Sequence, residues 1–204
     1  MIKKVFAFLL LLTIISRANG QGWDLRLEEH INGPISSTDQ SWQNITGSVY
    51  FTTAGVPLGM LVTGLATHNK ELTTKAFETG GSILIAAGVT VTLKALTHRQ
   101  RPYLAHPDLI VGKATSSDYS FPSGHTSLAF ATATSLSLSL PKWYVIAPAF
   151  TYAAAVCYSR MYLGVHYPTD VFAGALVGVG STFLTWKLQK ALFKNYNKKV
   201  NGRY

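Results

Sequence analysis

A single cysteine, Cys157, rules out any intrachain disulfide; set in an apolar helical stretch, it reads as a buried, inert thiol. Acidic side chains are few: nine Asp and Glu stand against 18 Lys and Arg, leaving a formal net charge of +9. Charged residues of both signs make up 13% of the chain, about half the share usual in soluble domains, so a membrane class enters early. No fixed-period repeat and no low-complexity linker divides the 204 residues, which leaves one domain with a sizeable core. The basic excess has no interleaved aromatic platforms beyond Phe193 and Tyr196, which speaks against nucleic acid as a partner. No segment marks an obligate protein partner.

What the chain does have is apolar length. Lys3 and Lys4, an apolar run over residues 5–15 and the small residues Ala18 and Gly20 predict a secretory signal over residues 1–20. An uncleaved first membrane helix is the alternative. Residues 23–32 read as a short amphipathic helix, with Leu25, Leu27 and Ile31 among charged residues. Five apolar segments follow, at 45–67, 80–96, 126–140, 143–158 and 171–188, each scattered with the small residues that membrane bundles use for close packing. The expected fold class is all-α: a helical bundle of five transmembrane helices over residues 21–188, followed by a basic cytoplasmic tail at 189–204. The third and fourth segments are short for a span, and a mean hydropathy of +0.19 keeps a soluble all-helical domain open.

Charge placement favours the membrane. With residue 21 outside and five spans alternating, residues 68–75, Pro141-Lys142 and the tail fall inside. The end of the last segment and the tail carry Lys187, Lys190, Lys194, Lys198, Lys199 and Arg203, as the positive-inside rule requires. The outer loops, 97–124 and 159–170, then hold His98, His106, His125 and His166 with Arg99, Arg101, Lys113 and Arg160, and Lys94 lies at their edge. Positive charge on that side needs a local reason, and an anionic ligand supplies one.

Three segments carry the chemistry. In the first, Lys94 and Arg101 are seven residues apart and would share a helix face, two cations able to grip two edges of a phosphoryl group; Pro102 turns the chain away. In the second, Ser123 caps an apolar helix, Gly124 lets backbone approach a ligand, and His125 stands at the rim of the free first-turn amides. In the third, Pro168 and Asp170 open the last helix, with Arg160 and His166 just before it. An Asp170 carboxylate on Nδ1–H would leave His166 Nε2 as nucleophile or base. Taken singly, each has a plainer reading as boundary lysines, a capped helix start or an exposed histidine.

Together these segments, K-x6-R-P, P-S-G-H and S-R-x5-H-x3-D, resemble the signature of the type 2 phosphatidic acid phosphatase and vanadium haloperoxidase superfamily, with no signature position substituted. The resemblance implies a phosphatase that uses no metal and no cofactor. It makes His166 a nucleophile that becomes phosphohistidine, Asp170 its orienting partner and His125 the acid for the leaving group. Lys94, Arg101, Ser123, Gly124 and Arg160 would bind the phosphate. A site at the outer membrane boundary suits a phospholipid or polyprenyl phosphate or diphosphate: phosphatidic acid, phosphatidylglycerol phosphate, polyprenyl diphosphate and lipid A phosphates all fit. Arg99, His106 and residues 107–118 are the expected selectors among them. The rival reading is a soluble, secreted acid phosphatase; a haloperoxidase would be a much longer soluble chain.

Overall fold

In a computed structural model, residues 22–201 apart from Ser117 are described, with side chains as far as residue 191. The expected signal segment at 1–20 and most of the basic tail's side chains lie outside the described residues. The described chain is all helix and connecting loop: α1 (Trp23–Asn32), α2 (Asp39–Gly47), α3 (Val49–Ala66), α4 (Lys70–Thr97), the single turn α5 (Pro102–Ala105), α6 (Gly124–Ser139), α7 (Trp143–Tyr162) and α8 (Pro168–Asn201).

Among the described residues, three stretches are long and apolar enough to cross a membrane: Asp39–Ala66, Lys70–Ala105 and Pro168–Ala191. Their outward faces carry apolar side chains in helical register. Phe51, Leu58 and Leu65 on α3, and Phe77, Leu84 and Val91 on α4, are exposed and seven residues apart, two turns of helix each time. Such continuous exposed apolar stripes are what lipid, rather than water, selects.

Helices α6 and α7 correspond to the expected third and fourth segments but do not meet the spanning criterion. At 16 residues α6 rises about 24 Å, short of the ~30 Å hydrocarbon core. Its low hydropathy has a packing reason, since its neighbours are protein. Ala131 belongs to one core cluster with Ala86 and Leu93 of α4 and Val177 of α8, while Ala129 and Ala133 join a second with Val49 of α3 and Val156 of α7. Thr126, Ser127, Thr132, Thr134 and Ser135 are buried along it. Some are bonded between helices: Ser135 donates to Thr79 Oγ1 at 2.8 Å, and Thr182 of α8 to the Ala131 carbonyl at 3.2 Å. Helix α8 approaches so closely that a Cβ at Gly178 would lie 2.4 Å from the Ser127 carbonyl oxygen.

Helix α1 has the predicted bounds but buries its polar stripe. Asp24, Glu28 and Asn32, one turn apart in succession, are enclosed, whereas Trp23 and Leu27 are exposed. Cys157 is half-buried rather than enclosed, its Sγ 3.9 Å from Thr126 Oγ1.

Candidate active site

Chain alternation brings the end of α4, the starts of α6 and α8 and the end of α7 to one end of the bundle. Lys94 and Arg101 meet there by a different route from the one their spacing suggests. The helix stops at Thr97, His98 takes a left-handed backbone conformation (φ 50°), and Arg101 becomes the N-cap of α5. Pro102 accounts for this, because its ring disfavours helix at the residue before it. The cations still converge: Lys94 Nζ is 2.9 Å from Asp118 Oδ2, Arg101 Nη2 bonds Asp118 Oδ1, and both donate to the Tyr119 carbonyl. Arg101 is further anchored by donating to the carbonyls of Val165 (2.7 Å) and Asp118 (3.0 Å).

Asp118 is the participant that the motif pattern did not single out. Its half-exposed carboxylate bridges two cations assigned to phosphate. Burial pulls its pKa up, but hydrogen bonds from Lys94, Ser116 and Arg101 outweigh that and hold it well below the usual carboxylate range. Its scarcity was the available signal: few acidic side chains lie in residues 97–124 and 159–170.

Ser123 stands at the N-cap of α6 as expected, yet its hydroxyl makes no capping bond and accepts from Thr126 Oγ1 instead, at 3.0 Å. The first-turn amides are therefore without a side-chain cap. A Cβ at Gly124 would meet only Thr90, at 3.7 Å, so packing does not demand glycine there. The next residue, His125, is half-buried and lies edge-on to Tyr50 of α3, ring centroids 5.0 Å apart.

His166 is enclosed between Asp170 and Arg101. Its Nδ1 lies 3.5 Å from Asp170 Oδ2, longer than a hydrogen bond and otherwise unpartnered, while Nε2 on the opposite edge is 3.1 Å from Arg101 Nη1. Burial first, then the charges of Arg101, Arg160 and Lys94, hold the imidazole well below the ordinary histidine range. A neutral ring keeps a lone pair available for attack. Arg160 is buried, donates from Nη1 to Thr46 Oγ1 at 3.0 Å, and has an Nε with no partner.

Two cations of the 97–124 loop are occupied elsewhere. Lys113 donates to the Asn32 carbonyl at 2.5 Å and lies over the Tyr162 ring, fastening α1 to α7. Arg99, expected among the substrate selectors, instead turns inward onto two buried carboxylates, Asp24 and Asp170.

A family model described as the PAP2 superfamily matches residues 75–194, more than half of the chain. The chain belongs to the PAP2 superfamily. That segment contains every signature residue placed above. An undecaprenyl-diphosphatase from Sulfolobus acidocaldarius is 36% identical over 109 residues, 53% of this chain and 52% of that protein. The chain thus spans about half the length of the curated relatives it matches. Among solved structures, Aquifex aeolicus LpxE superposes with a TM-score of 0.67 at 28% identity, covering 81% of this chain and 96% of that one. A transmembrane PAP2-type phosphatidylglycerolphosphate phosphatase from Bacillus subtilis superposes with a TM-score of 0.70 over 92% of this chain and 95% of that one; at 24% identity it attests the fold. With three spanning-length helices and an apolar outer surface, the chain is a membrane protein.

Proposed function

We propose that this chain is a metal-independent phosphatase of a lipid phosphate or diphosphate, acting through a phosphohistidine at the extracytoplasmic face of a five-span bundle that follows a signal peptide. The observation that carries the reading is His166, enclosed with one ring nitrogen toward Asp170 and the other toward Arg101, with Lys94, Arg160 and His125 around it. In this mechanism Nε2 attacks phosphorus as the bond to the leaving oxygen breaks, and His125 gives that oxygen its proton. Water then attacks phosphorus, its proton passing to His125, and the phosphorus–nitrogen bond breaks to regenerate His166. Lys94, Arg101 and Arg160, with Ser123 and the Gly124 amide, hold the equatorial oxygens. Three fixed cations can supply the charge neutralisation that a metal ion gives elsewhere.

A lipid substrate is supported by a groove of ≈ 290 Å³ lined by Val56, Ala129, Ala133, Leu136, Val145 and Ala149 among others. It runs along the face of α6 that begins at His125, a position suited to an acyl or isoprenoid chain. The relative from S. acidocaldarius puts polyprenyl diphosphate first among substrates to try, and the basic tail supports the outward orientation. The test is phosphate release by the purified chain in detergent from polyprenyl diphosphate, phosphatidylglycerol phosphate, phosphatidic acid and lipid A. Release from at least one is expected to persist in EDTA and stop with vanadate; loss of release on chelation would remove the metal-free mechanism.

Asp118 competes with substrate phosphate for Lys94 and Arg101. Asp118→Asn removes that charge while Arg101 stays anchored by the two backbone carbonyls. For a half-exposed pair the gain is about 1 kcal/mol, so product inhibition by inorganic phosphate is expected to tighten about fivefold. A weaker phosphate inhibition in the variant would show instead that Asp118 organises the cations for binding.

A further inference from the structure

Two shells surround His166, and the proposed chemistry uses only the inner one. Behind Asp170, on the Nδ1 side of the ring and away from Arg101, lies a buried cluster to which α1 contributes. Arg99 donates from Nη1 to Asp170 Oδ1 at 2.6 Å and to Thr169 Oγ1 at 2.7 Å, and from Nη2 to Asp24 Oδ2 at 2.7 Å. Its guanidinium lies over the Tyr167 ring, 4.0 Å from the centroid. Asp24, fully buried, also accepts from the Thr169 amide (3.0 Å) and hydroxyl (2.6 Å). One oxygen of Asp170 is thereby committed to Arg99. The other accepts from the Tyr167 amide at 2.9 Å and is the oxygen that faces His166.

This arrangement fixes the rotation of the Asp170 carboxylate. A carboxylate on a two-bond side chain can turn, and Arg99 on Oδ1 together with the Tyr167 amide on Oδ2 holds it toward His166 Nδ1. The guanidinium fork suits that task because its two nitrogens reach two carboxylates in one plane. Charge supports it too. Burial, then the neighbouring Asp170 and Asp24, push Glu28 up to about 10, so its carboxyl is neutral near pH 7. The single cation therefore faces two anions rather than three. Asp24 and Glu28 both come from α1, which precedes the family-matched segment at 75–194.

We propose that Arg99, clamped by Asp24 of α1, is a positioning residue that aims the Asp170 carboxylate at His166, making the N-terminal helix part of the catalytic apparatus although it touches no substrate. The inference rests on the assignment of His166 as nucleophile. Phosphate binding should be untouched, because the bonds of Arg99 go to Asp24, Thr169 and Asp170 and none to Lys94, Arg101 or Arg160.

The experiment compares wild type, Arg99→Ala, Arg99→Lys, Asp24→Asn and His166→Ala, as full chains in detergent, for kcat, KM and inhibition by inorganic phosphate. Arg99→Ala is expected to lower kcat about 100-fold and Asp24→Asn about tenfold, with KM and the phosphate inhibition constant within about threefold of wild type. Arg99→Lys falls between them, and millimolar guanidinium restores part of the Arg99→Ala rate, an effect a merely structural defect would not show. If the arginine variants fail to fold, the near-isosteric Asp24→Asn decides. Unchanged kcat in the folded variants overturns the proposal, as does a phosphate inhibition constant that weakens in step with kcat, which would make Arg99 a phosphate ligand. Wild type that releases no phosphate, or a His166→Ala variant that still does, removes the nucleophile assignment instead.

Discussion

His166→Ala is expected to lower phosphate release by about 10⁴-fold or more, equivalent to about 5.5 kcal/mol of barrier. The size follows from what the ring supplies. In the proposed mechanism its Nε2, beside Arg101, is the attacking atom, and without it water would have to attack phosphorus directly, unassisted by a covalent intermediate. The cations themselves remain: Lys94 and Arg101 stay converged on Asp118, and Arg101 keeps its anchors on the Val165 and Asp118 carbonyls. Inhibition by inorganic phosphate should accordingly change far less than kcat. Because His166 is fully enclosed, elution as a single detergent-solubilised species must accompany the assay, and His166→Gln is the variant that better preserves volume. Brief reaction of wild type with a ³²P-labelled substrate should leave an acid-labile, alkali-stable label that His166→Ala lacks. Activity within tenfold of wild type in a folded variant would end the phosphohistidine mechanism.

The extent to which this site was legible in the sequence depended on whether a residue's partner lay near it in the chain. Helices α3, α4 and α8 follow from long apolar runs, since such runs have few alternatives to a helix. Pro168 and Asp170 at the start of α8 follow from local rules of helix initiation, and the structure keeps both there. The turn at His98 did not follow, because Pro102 disfavours helix at Arg101 without saying how many residues earlier the helix stops. Helix α1 was harder still. Its Asp24, Glu28 and Asn32 repeat every four residues, a pattern that on a water-soluble helix marks the solvated face. Here that stripe is buried because Arg99 and Thr169 supply partners for Asp24, and Val111 and Lys113 for Asn32, all distant in sequence, while Glu28 between them has no hydrogen-bond partner. Tyr50 was illegible for the same reason, and Asp118 was legible only as one end of an expected selector loop, since its bonds to Lys94 and Arg101 are tertiary contacts that no local pattern encodes. Motif spacing located the residues proposed to bind phosphate, whereas the residues that hold those in place emerged only with the fold.

The second large effect is mechanical. Gly178→Leu is expected to destabilise the detergent-solubilised protein by about 3 kcal/mol or more and to abolish phosphate release. The neighbours that a Cβ at Gly178 would strike are the Ser127 carbonyl oxygen at 2.4 Å, the Ala131 amide nitrogen at 2.7 Å and the Phe130 Cβ at 2.8 Å. None is the far end of a flexible side chain, so the clash can be relieved only by moving α6 and α8 apart. Gly174, one turn earlier, is also close-packed, with the Ser123 carbonyl at 2.7 Å. These two helices carry the two halves of the site: Ser123, Gly124 and His125 begin α6, and Asp170 lies in the first turn of α8. Their starts are joined by the Ser123 amide donating to the Asp170 carbonyl at 3.0 Å. A wedge at Gly178 therefore strains the bundle and opens the site together. Gly180, two residues on, has nothing within 4 Å of its would-be Cβ, so Gly180→Ala should leave activity intact and be neutral to about 1 kcal/mol stabilising. Thermal unfolding and phosphate release measured on both variants separate the cases. Equal tolerance at the two positions would mean that α6 and α8 do not pack backbone to backbone.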